Sequence, residues 1–308
     1  MRGFRFGAVL RGARSGKEWA ERARRLEASG FDVLLVPDHL VGPRFAPLAA
    51  LTAAACATTR LRVGTLVFAN DFRHPAVLAK EAATLDLLSG GRLELGLGTG
   101  WMADDYGGAG LRLDPPGVRL DRLREALEVI KGLWDGGPLT YEGAHYRLAG
   151  LEQEPRPVQR PRPPILLGGG GPRMLALAAE HADIVNLGTR VKPDGTGPDP
   201  RDAGPEAFLA KLALLRRSPR HHLLEIGTSV MQVGERKPEE SWSAADSSRL
   251  GDTPQVLLGT RRDIADQLRH WRDAHGVSYF VLHHERDLAA FTPVVEELAA
   301  LPDDGPHG

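Results

Sequence analysis

The chain of 308 residues carries 39 lysines plus arginines against 40 aspartates plus glutamates, a net charge of −1, which leaves no broad field for holding nucleic acid or an anionic membrane. No apolar run reaches the roughly 18 residues of a membrane span, and MRGFRFGAVL lacks the apolar core and small-residue cleavage site of a secretory leader. The one cysteine, Cys56, sits in the apolar run LAALTAAACAT, can close no intrachain disulfide and reads as a small core residue, so the chain is expected to be soluble and cytoplasmic.

In chain order, the pattern predicts a strand over residues 4–10 and a helix over EWAERARRLEASG, whose Trp19, Ala23 and Leu26 recur at helical spacing before Gly30. The continuous apolar DVLLVPDH reads as a strand buried on both faces, followed by a helix over 47–58 and the strand LRVGTLVF. HPAVLAKEAATLDLLSGG is a helix with Pro75 near its start and Gly90 past its end. The strand LELGLGTGW follows, then the helix LDRLREALEVIKGLW with one apolar stripe. Beyond the proline-rich spacer EPRPVQRPRPP come the strand ILLGGGG, the helix PRMLALAAEHA and the strand DIVNLG. A polar loop over 191–204, a helix over 208–216 and the strand LLEIGTSVMQV precede a polar stretch, 235–253, that reads as a candidate lid. The helix DIADQLRHWRDAHG, the strand VSYFVLHH and a helix ending near residue 301 complete the count. Eight strand–helix alternations over residues 1–308 predict one α/β domain, a (β/α)8 TIM barrel with loop insertions, whose active site gathers at the C-terminal strand ends.

Those ends carry chemistry: Asp38 and His39 after the second strand, Gly98 to Trp101 after the fourth, His283 and His284 after the eighth. Each also has a plain structural use, as a cap, a packed histidine or a turn. The four glycines Gly168, Gly169, Gly170 and Gly171 stand directly before a helix, so open amides and the positive helix end would face an anion such as a phosphate. They do not form a G-x-G-x-x-G fingerprint and no Walker lysine follows, which argues against dinucleotides and nucleoside triphosphates. A Schiff-base aldolase needs an inward lysine, whereas Lys17, Lys80, Lys131, Lys192, Lys211 and Lys237 all fall in helices, loops or connectors. No H-x-H or H-E-x-x-H spacing supports a metal site, and no metal is expected.

The segments SGFDVLLVPDH, RLRVGTLVFANDFRHP, AKEAATLDLLSGGRLELGLGTGW and LLGGGGPRMLALAAEHADIVNL resemble the luciferase-like monooxygenase superfamily, and within it the oxidoreductases that use the deazaflavin coenzyme F420. The resemblance runs through residues 4–300. It implies a cofactor site in which a cis peptide between Leu66 and Val67, after Thr65, supports the middle of the ring, with Gly98 beside it. His39 would lie near the reactive face with Asp38 as its polar neighbour, Asp104 at the ring edge, and Gly168 to Gly171 at the cofactor phosphate. A homodimer is implied as well. Relatives that oxidise glucose 6-phosphate carry a glutamate where this chain has Trp101 and a tryptophan where it has Pro43, so a sugar phosphate is not expected. Trp101, Tyr106 and Phe72 suggest an apolar or aromatic small-molecule substrate instead.

The expected reaction is hydride transfer between F420 and that substrate, with His39 as proton donor or acceptor, since an imidazole near its usual pKa of about 6.5 serves either way. His283 or His284 would touch substrate from the opposite wall; strand alternation predicts that only one points inward. The alternative is an FMN-dependent monooxygenase using reduced flavin and oxygen.

Overall fold

The computed structural model describes residues 2–235 and 251–299. Eight parallel staves form a closed barrel: β1 (Arg5–Val9), β2 (Val33–Val36), β3 (Arg62–Thr65), β4 (Leu93–Gly98), β5 (Ile165–Gly169), β6 (Ile184–Leu187), β7 (Glu225–Val230) and β8 (Val277–Leu282). β1 pairs with both β2 and β8, and the ring closes where Val63 of β3 meets Leu93 of β4. The connecting helices are α1 (Gly16–Ala28), α2 (Pro47–Ala57), α3 (Pro75–Leu88), α4 (Pro116–Asp135), α5 (Pro172–His181), α6 (Pro205–Arg216), α7 (Arg261–His275) and α8 (Leu288–Ala299). Local chemistry sets their ends: Ser15 accepts from the Glu18 amide to start α1, and Thr260 and Asp263 form a reciprocal capping box on α7.

Because successive strand residues face opposite ways, the barrel has two apolar layers. Val9, Val33, Leu35, Leu166, Ile184, Tyr279 and Val281 fill the interior, while Phe6, Leu34, Val63, Phe280 and their like pack outward against the helices. Beneath the inner layer lies a charged floor. Arg5 bonds Glu94 and, at 2.5 Å, Glu225; Arg62 reaches Glu94 at 2.6 Å; and the Arg5 guanidinium lies 4.5 Å over the Tyr279 ring.

Several details differ from the sequence reading. The third strand stops at Thr65, the Leu66–Val67 peptide that follows is cis, and the chain pairs again as Phe68–Ala69 alongside β4. The sequence pattern predicts no element over residues 103–108 or 139–151. The first is a short helix (Ala103–Gly108), and the second an antiparallel hairpin of Leu139–Glu142 with Arg147–Leu151. Glu125 of α4 accepts the amides of Ala144, His145 and Tyr146 at the hairpin tip. Gln232–Gly234 leaves the seventh strand to pair with Val256–Leu258. Cys56 is exposed rather than buried; a helix apolar on every face gives periodicity nothing to resolve. Of the candidate lid, residues 236–250 lie outside the described residues.

Gly96 in β4 shows how tightly the staves approach: a Cβ there would lie 1.8 Å from the Thr65 carbonyl oxygen. Gly96→Ala is therefore expected to cost more than about 3 kcal/mol in chemical denaturation. Gly107→Ala, with open space around it on a helix, is expected to be neutral or to stabilise by about 0.5–1 kcal/mol.

Candidate active site

A cavity of about 810 Å³ opens at the C-terminal ends of the strands. Its wall at β2 holds Asp38 and His39, and two carboxylates, Asp38 and Asp105, have different tasks here. Asp38 is buried; its Oδ2 accepts from the Ala69 amide at 3.0 Å and from Arg73 Nη1 at 2.6 Å, tying the end of β2 to the chain just past the cis peptide. His39 is served by another acid. Its Nδ1 lies 2.6 Å from Oδ2 of buried Asp105, whose Oδ1 accepts the amides of Leu40 and Val41 at 2.8 and 3.0 Å. A carboxylate can only accept, so Nδ1 carries the proton and Nε2 is left as the ring's basic nitrogen. Trp101 packs edge-on against the imidazole with centroids 5.8 Å apart.

The floor is cut to shape by glycine. A Cβ on Gly98 would fall 2.6 Å from Val67 Cγ2, so that glycine first makes room for Val67 after the cis bond. Leu66, Val67, Gly98 and all four glycines from Gly168 to Gly171 line the cavity. A Cβ on Gly170 would meet the Gly188 carbonyl at 2.2 Å, and Gly171 caps α5 without a side-chain acceptor, leaving backbone donors at the helix start. Thr65 lies off the lining: it is fully buried and donates to the Gly96 carbonyl at 2.7 Å.

Phe72, Trp101 and His283 line the cavity, whereas Tyr106 and Asp104 do not. Tyr106 is buried beside it, donates to Asp71 at 3.0 Å, and has its hydroxyl pKa raised by burial and by the Asp71 charge. Asp104 is exposed. Neighbours on a helix diverge by about 100°, so only one of Asp104 and Asp105 can turn inward, and it is Asp105. The adjacency of two acids after Trp101 was the available signal, but without an assigned helix the inward one was not identifiable.

His283 and His284 both line the cavity, contrary to the expectation from strand alternation, because β8 ends at Leu282. Burial, with the positive charge of Arg11 beside it, holds His283 well below the ordinary histidine range and pushes His284 down to about 4. Among the described residues, His283 Nδ1, His284 Nε2 and Nδ2 of buried Asn186 have no hydrogen-bond partner. Ser229 lies 3.2 Å from Asn186 Oδ1, which turns the amide nitrogen away from it. Among the described residues no group of three or more His, Cys, Asp or Glu side chains is placed to hold a metal, and no helix is long and apolar enough to cross a membrane.

Residues 3–197 match the family model for luciferase-like monooxygenases. The chain belongs to that family. An uncharacterised protein of Mycobacterium tuberculosis is 34% identical over 188 residues, which are 54% of this chain and 65% of that one. A relative from Amycolatopsis mediterranei, an F420-dependent glucose-6-phosphate dehydrogenase, is 34% identical over 59% of this chain and 55% of its own. The chain thus spans between half and two thirds of the length of these luciferase-like relatives. Among solved structures, the coenzyme F420-dependent tetrahydromethanopterin reductase of Methanopyrus kandleri superposes with a TM-score of 0.75 at 18% identity, covering 97% of this chain and 98% of that one. A long-chain alkane monooxygenase gives 0.74 at 17% identity over 97% and 91%. The (β/α)8 luciferase-like fold is shared with both.

The depressed His284 has a consequence for stability. Between pH 6.5, where an unfolded histidine takes up its proton, and about 4, where the folded one does, the unfolded state binds more protons. Stability is therefore lost as pH falls through that window and is fully present above it. Thermal melts from pH 7 to 4 are expected to show this slope, reduced in His284→Gln.

Proposed function

We propose that the protein is an F420-dependent oxidoreductase that moves a hydride between the deazaflavin and an organic substrate. The observation that carries the chemistry is the Asp105–His39 pair at the cavity wall, 2.6 Å between carboxylate and Nδ1. The relatives named for F420 support the choice of cofactor. Leu66, Val67 and Gly98 suit a flat ring, and Gly168 to Gly171 before α5 suit its phosphate. F420, when bound, supplies a ring carbon that accepts or returns a hydride. The protein's part is orientation and proton handling. As a substrate C–H gives up hydride, His39 Nε2 takes the proton from the neighbouring O–H or N–H; in the reverse direction the imidazolium, held by Asp105, returns it. Asp38 supports the wall through Arg73 and Ala69. Phe72 and Trp101 give the substrate an apolar flank. A cytoplasmic homodimer accompanies this reading: α3 leaves Val77 52%, Leu87 47% and Leu88 58% exposed, and a second subunit would cover them.

Absorbance and fluorescence titration with F420 and with FMN tests the cofactor. Tight F420 binding and F420-coupled turnover are expected, and turnover with FMN and oxygen alone overturns the reading. His39→Ala is expected to lower kcat by about 10²- to 10⁴-fold with F420 affinity kept. Asp105→Asn is expected to lower it by at least about 10²-fold, because an amide donor facing Nδ1 forces the proton to Nε2. Unchanged turnover in both variants excludes the proton role.

A further inference from the structure

The cavity wall beside His39 carries two guanidiniums that, among the described residues, form no ion pair with a carboxylate. Arg11 follows β1 and Arg44 lies in the loop between β2 and α2; both are half-buried and line the cavity. The Phe45 amide donates to the Arg11 carbonyl at 2.8 Å, so the two segments run side by side. Arg11 Nη1 donates to the His283 carbonyl at 2.9 Å and Arg44 Nη1 to the Val41 carbonyl at 2.6 Å. Among the described residues neither side chain has an ion-pair partner within 4.0 Å. Glu285 acts on the Arg11 guanidinium through its charge alone, with Oε1 on the Arg11 backbone amide at 3.1 Å and Oε2 on Arg22 at 3.1 Å. Two other arginines of the cavity are paired, Arg173 with Asp121 and Arg190 with Asp199. Arg119 and Lys192, also without a carboxylate, follow β4 and β6 on other arcs of the barrel.

A half-buried cation without a counter-ion is unfavourable, and two together are more so. Among the described residues His283 Nδ1 and His284 Nε2 nearby have no hydrogen-bond partners, and the imidazoles supply no negative charge. Two planar guanidiniums on one wall, close enough for each other's charge to be felt, suit an oxyanion with two acceptor oxygens. We propose that Arg11 and Arg44 form the binding site for the carboxylate of an acidic substrate, whose apolar or aromatic body lies toward Phe72 and Trp101. The inference rests on the oxidoreductase reading and names its substrate class. The pair follows the first two strands, whereas the glycine run follows the fifth, so the acid group and the cofactor phosphate occupy separate places.

The test is calorimetric titration with benzoate, phenylacetate and cinnamate against their amides, with and without F420, on the wild type, Arg11→Gln, Arg44→Gln and the double variant. Acids are expected to bind at least about tenfold tighter than the matched amides. Each single variant is expected to weaken the acid about tenfold, and the double variant to abolish the preference, with amide and F420 affinities unchanged. Equal binding of acid and amide by the wild type, failure of every acid to bind, or a preference surviving in the double variant overturns the proposal. So does loss of F420 affinity in the variants, which would assign the arginines to the cofactor. If a glutamine variant does not fold, Arg11→Lys/Arg44→Lys keeps the charge without the fork: the acid preference is expected to persist at reduced affinity, and its absence overturns the proposal. A wild type that prefers acids but binds no F420 sinks the cofactor reading and leaves the anion site standing.

Discussion

The carboxylate of Asp105 sits beneath the loop after β2 with three donors on it, the Nδ1–H of His39 and the amides of Leu40 and Val41. A buried acid is tolerated only when its acceptor capacity is met, and meeting it here fixes the path of residues 39–41. The imidazole's tautomer follows from that, and so does the position of the Val41 carbonyl, which receives Arg44. One side chain from the short helix after β4 thereby organises the wall supplied by β2. Remove it and the histidine, the loop and the arginine behind the loop lose a common reference.

Asp38 shows how two neighbouring acids divide labour by surroundings. It points at the chain beyond the cis peptide and is occupied by Arg73 and the Ala69 amide, so it acts as a brace that keeps Val67 against Gly98. The histidines separate in the same way. His39 has an acid behind it and a free Nε2; His283 and His284 have a cationic neighbour and are held neutral. Residue type alone gives all three the same chemistry; their surroundings set them apart.

The alternation of strands and helices was legible in the chain because the parallel strands are largely buried on both faces and strands such as Val33–Val36 and Val277–Leu282 read as short, mainly apolar runs between helical periods. The glycine run before α5 and His39 after β2 were legible for a related reason: strand ends are where a barrel exposes its chemistry. What stayed hidden depended on rotation and register. Asp104 and Asp105 differ by one step on a six-residue helix too short to show a period. Tyr106 has the composition of a pocket residue, but it is buried beside the cavity with its hydroxyl bonded to Asp71. Arg11 and Arg44 are 33 positions apart and look like ordinary surface arginines until Phe45 bonds the two segments together.

The charged floor beneath the inner layer has a consequence for traffic. Arg5, Arg62, Glu94 and Glu225 come from the starts of four strands and knit the narrow end shut with ion pairs that leave Glu94 only 1% exposed. The barrel is a blind-ended vessel. Whatever enters must leave by the same mouth, so the species that lies deepest is the first in and the last out.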